Sequence, residues 1–279
     1  MRAGRLGMYR RKPAVAGSFY PSSPERLRSM VDAYLDEASA HVQPGKPVGI
    51  VSPHAGYVYS GAVAAYAFKR IDPGVERAVI LAPSHRARFN GAAIVPEGFY
   101  ETPLGNVAID GVVSGALDRL DCFSLLKEAH ELEHSLEVQL PFLQRVLGQF
   151  SIVPVVIGTT DLDLCREIAE GLHAALAADD AQTAVIISTD LSHYHPYDDA
   201  RVMDRRFIDV VATMDEAMVN EVIATGRAEA CGEGPVMTGM ALCKRMGAKR
   251  ATILTYANSG DTAGGRDQVV GYFAAAFEK

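Results

Sequence analysis

The residues whose types and spacing suit chemistry are histidines, one cysteine and a few acids, set in tight turns. His54 stands in SPHAGY and His85 in APSHR, each turn holding Pro or Gly. Asp190 and His193 share STDLSHY, and Cys231 opens CGEGPVMTGMALCKRMG. Imidazole is a common metal ligand and titrates near neutrality, so such turns suit a metal site or proton transfer. A thiol just ahead of a helix start can serve as a low-pKa ligand or nucleophile. A small packed residue in a glycine-rich turn fits the same position. Glu233 places a carboxylate at that helix start, where the dipole favours it. HSLE (134–137) sets His134 and Glu137 on one helix face, either a supporting pair for a site or a surface ion pair. His130 and His173 fall in helical stretches and read as structural or surface residues; His195, before Pro196, reads as a loop cap.

The elements that must position these residues alternate. VGIVSP (48–53), RAVILAP (77–83), SIVPVVIG (151–158) and TAVIIST (183–189) are short apolar runs, predicted as buried strands. Helical spacing is predicted over 24–41 with Ser23 as N-cap, over 59–70 and 161–178, and across 198–226 and 233–247. Residues 134–148 carry helical periodicity that Pro141 must kink or begin. Residues 92–110 read as short strands or a hairpin, and 250–258 and 268–277 as closing strands. Strand, helix and strand within a few tens of residues predict right-handed βαβ units and a mainly parallel sheet flanked by helices. His54, His85, Asp190 and His193 then all fall just past strand ends. Open α/β sheets bind ligands at that edge.

Composition narrows the classes. Thirty-four acidic residues against 27 basic give a net charge of −7, which argues against nucleic acid as a partner. No run approaches 18 apolar residues, so no spanning helix is predicted. Four cysteines (Cys122, Cys165, Cys231, Cys243) without a CxxC pair suggest reduced thiols and a cytoplasmic protein. The basic N-terminus has no apolar run before Pro13, so no signal peptide is expected. Residues 1–10 read as a flexible extension, and Met8 is an alternative start to Met1. The GxGxxG, GxxxxGK[ST], HExxH and GxSxG patterns are absent. Without a repeat or linker, one α/β domain is the expected organisation.

RKPAVAGSFYP (11–21), SPHAGYVYSG (52–61), LAPSHR (81–86), EHSLEVQLPFLQ (133–144), STDLSHYHPYDDA (188–200) and CGEGPV (231–236) together resemble the Memo family, called in bacteria and archaea the B component of the AmmeMemoRadiSam system. The resemblance runs from about residue 11 to the C-terminus. It implies an αβ sandwich similar to the class III extradiol ring-cleaving dioxygenases, which are non-haem iron enzymes. By the same resemblance His54 and His85 match two metal-binding histidines and Cys231 a third ligand. Asp190 and His193 line the pocket, with His193 where the related dioxygenases keep an acid/base histidine. Those enzymes supply a carboxylate where this chain has Cys231, and a thiolate moves preference from iron(II) toward copper or zinc.

The resulting expectation is a metal-dependent redox protein, dioxygenase-like, using iron or copper. Asp190 would orient His193 or the substrate, and Tyr20, Tyr57 and Tyr194 would rim the pocket. The rival expectation is a non-catalytic module that binds (phospho)peptides in the same cleft, with Arg86 and Arg88 as cationic donors. A third is a partner for a radical SAM enzyme and an AMMECR1-like protein, as the system's name implies.

Overall fold

The computed structural model describes residues 8–279. The central parallel strands arise where a run is apolar through its middle, as a strand covered on both faces requires. β3 (Arg77–Pro83) is buried along its whole length. Its alternate residues serve two cores: Val79 and Leu81 face one side of the sheet, Ala78, Ile80 and Ala82 the other. β8 (Ser151–Ile157), β9 (Thr183–Ser188) and β2 (Gly49–Ser52) are built the same way. The order β8–β3–β9–β2 is parallel throughout. The sheet then extends with β6 (Gly105–Ile109) beside β8, and β12 (Val269–Glu278) antiparallel to β2.

The peripheral strands carry the irregular parts. β5 (Gly98–Thr102) and β6 form the hairpin expected within 92–110. β4 (Ala92–Ile94) pairs with β7 (Phe123–Leu125) and β8. β10 (His193–His195) and β11 (Arg250–Asn258) both pair with β12. β1 (Tyr9–Arg11) lies parallel to β5, and Arg11 is fully buried. Tyr9 and Arg10, expected within a flexible extension, belong instead to β1. Residues 1–7, and with them Met1 as a start, lie outside the described residues.

Helices cover both faces of the sheet. On one side lie α3 (Gly111–Leu117), α7 (Leu162–Leu176), α8 (Tyr197–Thr213), α9 (Glu216–Ala224) and α10 (Glu233–Arg245). On the other lie α1 (Pro24–Ser39), capped by Ser23 as expected, α2 (Tyr57–Phe68) and α6 (Leu140–Val146). Two single-turn helices, α4 (Glu128–Glu131) and α5 (His134–Glu137), precede α6, and α11 (Ser259–Thr262) precedes β12. The predicted 134–148 helix is thus broken in two, with Pro141 in the first turn of α6, where its missing N–H costs nothing. The architecture is the expected α/β sandwich. Among the described residues no helix is long and apolar enough to cross a membrane.

Candidate metal centre at the carboxyl edge of the sheet

Because β9 lies between β3 and β2, the loops that leave these three strands are neighbours. His54 follows β2, His85 follows β3 and Asp190 follows β9, so all arrive at one edge. α5 adds a fourth element. The Ser135 hydroxyl donates to the Pro83 carbonyl at 3.1 Å, which fastens α5 to the end of β3 and brings His134 beside His85. The CGEG turn supplies Cys231. A Cβ on Gly232 would stand 2.6 Å from the Ser188 carbonyl oxygen, and one on Gly234 would stand 2.2 Å from that of Thr159. Only glycine lets the start of α10 press against the ends of β9 and β8 and set Cys231 there.

Among the described residues, His54, His85 and His134 are the group whose potential ligand atoms all lie within 4.8 Å of one another. Their outer contacts fix which nitrogens are free. The Ser188 hydroxyl donates to the Ser135 carbonyl at 2.7 Å and accepts from the Gln139 amide at 2.9 Å. Its remaining lone pair faces His54 Nδ1 at 2.8 Å, so Nδ1 carries the proton and Nε2 is bare. His85 Nδ1 donates to Glu133 Oε1 at 2.9 Å, and the His85 backbone N–H donates to Glu133 Oε2 at 2.6 Å. This is the carboxylate–histidine arrangement that orients metal-binding imidazoles. His134 Nδ1 is buried without a hydrogen-bond partner. That nitrogen lies 3.4 Å from Glu133 Oε1, and the three imidazoles gathered here form a donor set that fits a metal ion.

Burial keeps two of these rings, His54 and His134, neutral. Burial holds His54 well below its ordinary pKa, and the neighbouring histidines add to the effect. Burial takes His134 to about 4. Burial would raise Glu133, but hydrogen bonds from His85 and Ser135 prevail and take it to about 2. Burial pushes Asp190 up to about 7, even though its Oδ1 accepts from the His54 backbone N–H at 2.7 Å.

Cys231 Sγ lies 3.1 Å from His54 Nε2 and accepts from the Asp190 backbone N–H at 3.2 Å. It touches the centre through His54. Burial, followed by the Asp190 charge, pushes its thiol up, not down as a helix start alone would do. Asp190 braces the His54 loop, and its Oδ2 lies 3.9 Å from His54 Nε2. Among the described residues it makes no hydrogen bond to the His193 ring. His193 is half-buried and, through burial, lowered from its ordinary pKa. With His134, Asp190, Tyr194, Tyr59 and Tyr272 it lines a cavity of about 550 Å³. Tyr194 is a non-glycine residue at φ 63°, a left-handed conformation of the kind that clusters at functional sites.

The structure departs from two sequence expectations. Tyr20 and Tyr57 do not rim the cavity: both are buried, Tyr20 donating to Glu137 and Tyr57 to the Val138 carbonyl. His134 and Glu137 are not a pair, because Glu137 turns away to Arg11 while His134 joins the centre. Glu133 was not singled out at all. Its signal was the acidic residue directly ahead of His134, the N-cap of a helix too short to show periodicity. Glu233, half-buried, accepts from Asn220 away from the centre. A second cavity of about 290 Å³ opens at Cys231, with Arg88, Thr159 and Thr160 on its wall.

A family model described as "Memo-like protein" matches residues 11–276. A MEMO1 family protein of Methanopyrus kandleri is 41% identical over 96% of this chain and 99% of its own length. One from Sulfolobus acidocaldarius is 37% identical over the same shares. Among solved structures, an uncharacterized protein of Escherichia coli K12 superposes with a TM-score of 0.54 at 12% identity, covering 83% of this chain and all of that one. That last likeness concerns the fold.

Proposed function

The chain belongs to the Memo family, and from that premise we propose that it is a metal-dependent redox protein whose ion is held by His54, His85 and Cys231, with His134 in the same shell. The observation that supports this most is the convergence of three imidazoles within 4.8 Å, two of them with the far nitrogen already committed. Imidazole suits iron, copper and zinc, and an added thiolate favours copper or zinc over iron(II). Iron or copper there would supply one-electron chemistry of the dioxygenase kind.

The chain's own groups then divide the remaining work. His193, neutral at pH 7 and facing the 550 Å³ cavity, accepts a proton from a hydroxyl of a small bound substrate. Asp190, at about 7, holds or releases a proton at Oδ2 while its Oδ1 keeps the His54 loop in place. Tyr59, Tyr272 and Phe19 give the cavity flat apolar walls on which a planar substrate stacks. Protein purified anaerobically without a chelating tag should carry iron or copper by elemental analysis, and His54→Ala and His85→Ala should each lose it with the far-UV circular dichroism unchanged. Equal metal content in parent and variants would overturn the assignment.

A second reading, a binding module for phosphorylated peptides, is favoured by Arg86 and Arg88, both exposed, with Arg88 on the smaller cavity. Phosphotyrosine peptide binding by metal-free protein, lost in Arg88→Ala, would support it. Metal-dependent turnover would support the enzyme.

A further inference from the structure

β11 is the last strand beyond β12 and, among the described residues, is paired on one side only. It runs nine residues, and its stretch ATILTYA (251–257) holds no charge, proline or glycine. Edge strands of this length are usually blunted by lysine, proline or bulges, because a free row of N–H and C=O groups recruits another strand. Here the one interruption is a register shift between Ile253 and Thr255. Beside this edge, α8 and β11 border a cavity of about 630 Å³, with the apolar side chains of Val202, Ile208, Ile253 and Tyr256 on its wall. Arg201, Arg205 and Arg206 stand around it, together with Asp198. Arg205 is paired with Asp209 at 2.8 Å, whereas Arg201 and Arg206 have no carboxylate partner among the described residues. On a chain of net charge −7, this cluster is a local exception.

We propose that the β11 edge and its cavity form a docking site for an extended acidic segment of a partner protein. The segment adds a strand to β11 through main-chain hydrogen bonds. Its apolar side chains, recurring at every second position, enter the cavity from one face. Acidic side chains beside them meet Arg201 and Arg206. A second copy of this chain fits less well. Two-fold pairing of β11 with β11 sets the arginines of one α8 toward those of the other, whereas an acidic strand neutralises them. The site is separate from the metal centre and does not depend on it.

The test is selection of a random octapeptide library on the full chain, followed by synthesis of an enriched peptide for titration and amide exchange. The enriched sequences should be acidic with alternating apolar residues. Arg201→Glu combined with Arg206→Glu, two exposed positions, should weaken the synthetic peptide by about tenfold or more. Bound peptide should slow exchange at residues 250–258. Any of three results overturns the proposal: no enrichment, or enrichment without acidic residues; affinity unchanged by the double variant; protection that falls elsewhere. Protection of 250–258 without peptide, rising with protein concentration, assigns the edge to a second copy and overturns it equally.

Discussion

At Cys231 and His134 the choice of third ligand becomes a proton count. The thiol is raised by burial and so enters as –SH, whereas His134, at about 4, is already neutral at pH 6. If Cys231 binds as thiolate, each ion releases one proton, and apparent affinity should rise about tenfold per pH unit between pH 6 and 8. A flat profile would assign the position to His134, and Cys231→Ser would then leave the affinity unchanged. Glu133 offers a separate test. Glu133→Gln should lower metal affinity by about 10–100-fold while far-UV circular dichroism stays native, because His85 loses its orienting carboxylate but keeps its ring. His54 and His85 were legible in the sequence because buried parallel strands are easily recognised and residues just past them must share an edge. His134 was not, because its place depends on how a single turn docks on β3, a contact that no periodicity records.

One ion pair ties the N-terminal strand to the helices that carry the centre. Arg11 on β1 and Glu137 on α5 form a buried pair, both side chains fully enclosed. Arg11 also donates to the His130 carbonyl at 3.0 Å and to that of Glu133, while Glu137 accepts from the backbone of Ala14 and Val15. The motif RKPAVAGSFYP is therefore a strap across α4 and α5. Arg11→Met leaves a buried carboxylate without its cation and should cost about 3–5 kcal/mol in urea unfolding. A loss below about 1 kcal/mol would show the strap to be dispensable. Its role escaped the sequence because a three-residue strand beside a basic tail resembles an extension, and the partner lies more than a hundred residues away. The central strands and long helices, by contrast, were legible because a short apolar run or a helical spacing of apolar residues lasts a full element length.

Across the whole molecule, buried neutral histidine sets the response to acid. His130 is fully buried, accepts from Tyr100 at Nδ1 and donates from Nε2 to the Ala93 carbonyl. Burial takes it from 6.5 to about 4. A depressed folded pKa means that the unfolded chain takes the proton first as pH falls. The contribution is therefore complete above 6.5 and is lost progressively down to about 4, amounting to about 3 kcal/mol over that span. Urea midpoints at pH 7 and pH 5 should differ in that direction, and His130→Gln should flatten the slope. An unchanged slope would place the acid sensitivity elsewhere. The sheet order carries a consequence for biosynthesis. β2, which leads into the His54 turn, is seated between β9 and β12, and β12 is the last strand of the chain. On the ribosome, His54 has no fixed place until residues 269–278 have left the exit tunnel. Metal uptake at the proposed centre would therefore follow synthesis of the whole chain, and a chain terminated before β12 should bind none.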